Sequence, residues 1–512
     1  MVEMYYTCIH LVLLISGSIV VSAFLTFPAK DEDTTVNVDC GRVRGLYNVT
    51  SDAYSFRGIP YASPPVGNLR WRPPFPVNSS NSNCWRGLLD ASQFGSPCFQ
   101  RNAAYNAKMT LGNEDCLYLN VWTPSLNSKA GLPVMFWVHG GYLLVGNGNQ
   151  HDIGYAPTEQ LARDHNVVYV SINYRLNAFG FMSLDMLRGG SHTNTSGNYG
   201  FMDMLEGLQW VQNNIRQFGG DPNKVTLFGQ SSGGTAIYAL LASPLGRGLF
   251  HKAWAISGSP VMNKTATEAE LDNQVFVRNT GCRDANCYVL PKAPLEAFTA
   301  KIGSDVPVLI GTTSHEVDLE PIPQEVGNWT WADNKYQDYV RNALHPFGAV
   351  VAKTALKLYQ ENVQTPEFQL TSMVTDLRST CGNHYLALVM ATSFTSPVFR
   401  YIAGYAPSIP MKAFGEMLPA QYAFHGIDMF AYYKTMGLMI DNMTDADRQW
   451  EVNVQQEVLS FVSTGIPFTA DWGMFPGRTA VLSENTTVTA GYHTAECLFW
   501  LTNGFFSYSW IN

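Results

Sequence analysis

An α/β architecture, with a central, mostly parallel sheet flanked by helices, is what this chain predicts. Two observations carry that reading. Strand-like apolar runs alternate with helix-like stretches along the whole length, the alternation from which parallel sheets are built. No Pro/Ser-rich linker, charge run or repeat divides the 512 residues, so one large domain with insertions accounts for the length better than several small ones. With 46% hydrophobic and 14% charged residues, the chain can bury a large core and is too apolar for disorder.

The runs Leu117–Trp122, Val134–His139, Val167–Tyr174, Val225–Phe228, Val306–Gly311 and Val398–Ala403 read as strands, being short, apolar and rich in β-branched or aromatic residues. The best helical pattern is Tyr199–Phe218, which puts Leu205, Leu208, Val211 and Ile215 on one face. Net charge is −9, and no concentrated basic face is present, which argues against a nucleic-acid partner.

Residues 1–23 read as a signal peptide. An apolar segment from Ile9 to Val21 leads into Val21-Ser22-Ala23, whose small residues suit cleavage after Ala23. Glu3 and the lack of Lys or Arg before the apolar segment leave an uncleaved signal anchor as the alternative. Residues 24–512 then form the mature domain, with no other stretch apolar enough to span a bilayer. Of the nine Cys, Cys8 lies in the leader, and the even remainder suits a disulfide framework. Asn-x-Ser/Thr sequons start at Asn48, Asn78, Asn194, Asn263, Asn328, Asn442 and Asn485. Together with the leader they predict a secreted, glycosylated protein.

The chemistry is announced between Phe218 and Gly234. Val225–Phe228 runs into Gly229-Gln230-Ser231-Ser232-Gly233, and Ser232–Leu241 reads as a helix with small residues on its packed face. A strand, a sharp turn with serine at the apex and a helix make a nucleophile elbow, the mark of a serine hydrolase. The glycines let strand and helix pass closely, and the helix N-terminus points its free N–H groups at charge forming on Ser231. A serine hydroxyl also needs a base, an acid to orient the base, and N–H donors for the oxyanion.

Candidates for these partners occur in the expected order. Val134–Val138 runs into His139-Gly140-Gly141-Tyr142, a strand-end loop suited to an oxyanion hole. Glu316 follows the apolar strand ending at Gly311, where active-site groups of open α/β sheets sit, although a loop Glu is more often simply solvated. His425, in Ala423-Phe424-His425-Gly426, is the base candidate among 11 His, with His384 as its competitor.

These pieces resemble the type-B carboxylesterase and cholinesterase family of α/β-hydrolases. The resemblance runs through Gly41-Arg42-Val43-Arg44-Gly45, Phe56-Arg57-Gly58-Ile59-Pro60-Tyr61-Ala62, Glu114-Asp115-Cys116-Leu117-Tyr118-Leu119-Asn120-Val121, Tyr174-Arg175-Leu176-Asn177 and the serine segment. It implies the α/β-hydrolase fold, with Ser231 as nucleophile, Glu316 as acid and His425 as base. It also implies an oxyanion hole from the N–H groups of Gly141, Tyr142 and Ser232. Family disulfides imply Cys98–Cys116, Cys282–Cys287 and Cys381–Cys497, which leaves Cys40 and Cys84 for each other.

Four departures from the family pattern stand out. Tyr142 replaces a third glycine, Gln230 replaces the Glu common before the nucleophile, and Leu89 takes the position of the tryptophan that receives a quaternary ammonium in cholinesterases. Finally, Cys287-Tyr288-Val289 runs straight into Leu290-Pro291-Lys292, which omits a segment that helps form the acyl side of the pocket in relatives. The expectation is a secreted serine carboxylesterase that acts on uncharged small-molecule esters, with no metal and no organic cofactor. Two alternatives stay open. One is a non-catalytic cholinesterase-like binding or adhesion protein of the neuroligin or glutactin kind. The other is a lipase, with the aromatic-rich stretch Phe94–Met109 as its lid.

Overall fold

Strands that are apolar on both faces call for a sheet covered on both sides, and that is the arrangement found. The computed structural model describes residues 34–505, apart from 82, 103–105, 191–195, 261–264, 281–293, 318–332, 361–364, 408–410, 414–415 and 419–421. The main sheet has 11 strands. In chain order they are β1 (Leu46–Asn48), β2 (Ala53–Pro60), β3 (Tyr118–Thr123), β4 (Leu132–Val138), β5 (Val168–Ile172), β6 (Gly220–Gln230), β7 (Lys252–Ile256), β8 (Val308–Thr313), β9 (Val398–Ala403), β10 (Thr479–Leu482) and β11 (Thr486–Thr489). Their spatial order is β11-β10-β9-β8-β7-β6-β4-β5-β3-β2-β1. Neighbours from β10 across to β5 run parallel, and the pairings at the two ends are antiparallel.

Side chains alternate faces along each strand. Val134, Phe136 and Val138 of β4 enter one core cluster with Leu227, Ala255 and Ile310. Met135 and Trp137 enter the opposite cluster with Phe228, Trp254 and Leu309. A third cluster, centred on Met373, Leu377 and Trp500, packs the later helices together.

The strands expected from sequence are present within a few residues of their anticipated bounds. Val225–Phe228 is the largest change: it belongs to the longer β6, whose pairing with β4 slips between Gly220 and Val225. The helix expected over Tyr199–Phe218 is α-helical to Asn214 and 3₁₀ from Ile215 to Phe218, and Leu205, Leu208, Val211 and Ile215 are all buried. Gly219, at φ 78°, ends it in a left-handed cap.

Disulfides join Cys40 to Cys84, Cys98 to Cys116 and Cys381 to Cys497. The expected Cys282–Cys287 pair lies outside the described residues, as do the leader and the sequons at Asn194, Asn263 and Asn328. Asn48, Asn442 and Asn485 are exposed and Asn78 is half-buried. Leu89 corrects an expectation. It lies in the strand Leu88–Asp90 of a small separate sheet, opposite Val43, packed against the edge of the core. It therefore carries no argument about an ammonium subsite. Within Phe94–Met109, the strands Gln100–Asn102 and Asn106–Leu111 pair antiparallel inside the loop closed by Cys98–Cys116. No helix among the described residues is long and apolar enough to cross a membrane.

Candidate active site

The sheet's interior sets the serine. β6 lies between β4 and β7, and its last residue, Gln230, hands over to Ser231 at φ 57° and ψ −124°. This is strained backbone for a residue with a Cβ. The turn is held by the Ser231 N–H donating to Ile256 O at 2.8 Å and by Thr235 N–H donating to Ser231 O at 2.9 Å. The helix Ser232–Ala242 follows at once. A Cβ on Gly229 would lie 2.8 Å from both the Gly233 backbone and the Val138 carbonyl oxygen, and one on Gly233 would overlap that same oxygen. The two glycines of the motif are therefore demanded by backbone packing.

The loop expected to form the oxyanion hole lies against this turn. After β4, Gly141 takes φ 110°, and Tyr142 and Leu143 both take φ 59°. Gly140 abuts the elbow: a Cβ there would lie 2.8 Å from Gln230 O and 3.0 Å from the Ser231 Cβ. Leu143 N–H donates to Ser232 Oγ at 3.1 Å and ties loop to helix. The N–H of Ser232 opens a helix and so has no partner within it. Beneath the loop, buried His139 stacks on Tyr174 at 4.4 Å and sets Nδ1 2.8 Å from Gly140 O. Burial pushes its pKa down to about 4, so the ring is neutral and can donate to that carbonyl. Gln100 fastens the far end of the loop: its amide nitrogen donates to Gly146 O at 2.8 Å and its amide oxygen accepts from Gly146 N–H at 2.7 Å. The Tyr142 side chain is exposed at 69%, which places a phenol where a glycine would leave open space.

Glu316 and His425 come from two loops and meet. β8 ends at Thr313, and its N–H donates to Glu316 Oε1 at 2.8 Å. Glu316 is buried at 6% exposure, and its Oε2 lies 2.5 Å from His425 Nδ1. Burial alone would raise this carboxyl's pKa. The His425 charge and hydrogen bond, with the Thr313 N–H and the Ser257 hydroxyl, outweigh it and hold the group below its ordinary value. The two loops are stitched by His315 N–H donating to Ala423 O at 3.1 Å. Gly426, at φ 87°, follows the histidine and starts the helix Ile427–Tyr432. One turn on, buried Asp428 accepts from Tyr401 OH at 2.7 Å. Burial is the main reason its pKa rises to about 6.

His425 Nε2 lies 2.9 Å from the side-chain nitrogen of Gln230. The Gln230 amide oxygen accepts from Tyr155 OH. The residue adjoining the elbow serine thus reaches the histidine, while Ser231 and Glu316 follow the C-terminal ends of β6 and β8, with β7 between those strands. His384, the competing base candidate, lies on the helix Cys381–Ser393, edge-on to Phe475 at 5.2 Å. Burial lowers its pKa to about 4, and it is a packing residue. Sequence reasoning missed Gln100 and Tyr155. Both act through contacts across 46 and 75 positions of chain, and no local pattern marks them.

Comparison with known proteins gives the family. The carboxylesterase family model matches residues 32–288 and 284–500. The chain belongs to the carboxylesterase family. The para-nitrobenzyl esterase of Bacillus subtilis (strain 168) is 32% identical over 88% of this chain and 95% of its own length. Fumonisin B1 esterase of Sphingopyxis macrogoltabida is 45% identical over 42% of this chain and only 37% of its own length. Neurotactin of Drosophila melanogaster is 30% identical over 72% of this chain and 48% of its own. Among solved structures, a PNB esterase superposes with TM-score 0.71 at 27% identity, covering 91% of this chain and 99% of that one. A Geobacillus stearothermophilus carboxylesterase gives TM-score 0.73 at 25% identity, over 91% of this chain and 100% of the other. The fold is the α/β-hydrolase fold, and the family makes this chain a carboxylic ester hydrolase of the serine class. The two matched stretches overlap at residues 284–288.

Proposed function

We propose that this carboxylesterase is a secreted enzyme that hydrolyses uncharged carboxylic esters through an acyl-enzyme on Ser231, with His425 as base and Glu316 as acid. The observation that carries the reading is the 2.5 Å contact between His425 Nδ1 and buried Glu316 beside a strained serine. A neutral His425 with its proton on Nδ1 donates to Glu316 and leaves the Nε2 lone pair to take the Ser231 proton. The Ser231 oxygen attacks the ester carbonyl, and the oxyanion is met by the N–H groups of Gly141, Tyr142 and Ser232. His425 then protonates the departing alcohol. Water, deprotonated by His425 in turn, releases the acid and restores Ser231.

The preference for uncharged esters is supported by Gln230, which puts a neutral amide rather than a carboxylate beside the serine. The similarity to an esterase named for a para-nitrobenzyl ester points the same way. Secretion is supported by the three disulfides, which persist in oxidising compartments, and by exposed sequon asparagines at Asn48, Asn442 and Asn485. The test is labelling of the folded protein with an organophosphate, followed by peptide mass mapping. One label per chain on Ser231, abolished by Ser231→Ala, is expected. Folded protein that takes up no label there overturns the reading.

A further inference from the structure

Gln230 is the residue to follow beyond the triad. Its side chain is buried at 4% exposure and lies between two groups of different kinds. Its amide nitrogen is 2.9 Å from His425 Nε2, and its amide oxygen accepts the Tyr155 hydroxyl. Tyr155 is itself fixed, packed edge-on against Trp137 at 5.3 Å. Space around the amide is tight, since even a Cβ on Gly426 would come within 3.2 Å of its nitrogen.

With Nδ1–H given to Glu316, Nε2 is an acceptor and the Gln230 NH₂ is the donor that meets it. We propose that Gln230 is a positioning residue, an amide latch that holds the base in its neutral, Nδ1-protonated form in the free enzyme and is anchored for that task by Tyr155. This rests on the reading of His425 as the base. A donor at Nε2 stabilises the neutral ring and opposes its protonation. The latch therefore keeps His425 competent toward lower pH, and the amide must yield Nε2 when Ser231 gives up its proton. Among the described residues, titratable groups around the imidazole include Glu316 on Nδ1, Asp428 one turn along the following helix, Tyr401 on Asp428, and Tyr155 behind the amide.

The experiment is a pH titration of the His425 ring signals by NMR in the full chain, run beside the acid limb of kcat/KM for a short-chain p-nitrophenyl ester. Gln230→Glu puts an anion where the donor stands. Both the His425 titration and the acid limb should move up by about 1 to 3 pH units. Tyr155→Phe releases the amide oxygen, and both should move in the same direction by less than Gln230→Glu. If Gln230→Glu does not fold, Gln230→Met replaces it, since loss of the donor alone must still raise the titration point. A His425 that titrates at the same pH in wild type and in every folded variant overturns the latch. If esterase activity persists in that case, the serine mechanism stands without it. If wild type is inactive, the NMR titration still decides the latch while the enzymatic reading falls.

Discussion

Ser231 stands on a turn shaped by backbone against backbone: Gly229, Gly233 and Gly140 are packed so closely that a Cβ on any of them meets main-chain atoms at 2.8 Å or less. Glu316 and His425 hang from two loops and are held mainly by polar contacts, the 2.5 Å pair itself, Thr313 N–H and Ser379 Oγ at 3.4 Å. The nucleophile side is therefore a steric construction, insensitive to charge and intolerant of added atoms. The acid–base side is an electrostatic one, sensitive to pH. In the proposed mechanism one site combines them because the elbow must be rigid to aim a strained serine, whereas the imidazole must change protonation during each cycle.

Four measurements would break or sharpen this contrast. The largest effect belongs to the chemistry itself. Ser231→Ala and Glu316→Gln should each lower kcat by about 10⁴-fold or more, with the Ser231→Ala chain still folded by circular dichroism. A Glu316→Gln enzyme within tenfold of wild type would mean that Glu316 does not orient His425. Next comes Gly233→Ala, which forces a methyl into the Val138 carbonyl. It should cost about 1–3 kcal/mol or more in a urea titration and lose activity by displacing the elbow. A stable, active Gly233→Ala protein would refute the steric account.

The third test is pH. The Glu316 pKa is held below its ordinary value, so the stability it contributes is present above the unfolded carboxyl pKa of about 4.3. That contribution is lost as pH falls through the lower folded value. Urea midpoints should drop below about pH 4 in wild type, and Glu316→Gln should flatten that part of the curve. The serine side should add no such slope, so Ser231→Ala should follow the wild-type curve. The smallest effect is expected at Tyr142, whose φ of 59° suits glycine. Tyr142→Gly keeps the N–H. It should retain Ser231 labelling and change kcat/KM by less than about tenfold, the effect lying in which acyl or alcohol groups fit, because one pocket-group change is worth about 1–3 kcal/mol at most. Loss of labelling would make the phenol part of the site's framework.

What the sequence determined is what short-range physics determines. The apolar runs read as covered strands, the glycines around Ser231 as a sharp strand-to-helix turn, and the helix Tyr199–Phe218 from the apolar stripe of Leu205, Leu208, Val211 and Ile215. Glu316 and His425 were legible only as candidates, because a Glu or a His in a loop has the same local pattern whether it is solvated or paired; resemblance to a family ranked them. Tertiary structure alone decided that these two meet across 109 positions of chain, that His384 packs on Phe475, and that Leu89 belongs to a small separate sheet. It alone joined Gln230 to both Tyr155 and His425. The physical reason is range: steric periodicity is written into neighbouring residues, whereas a hydrogen bond between distant side chains exists only once the sheet has set their loops side by side.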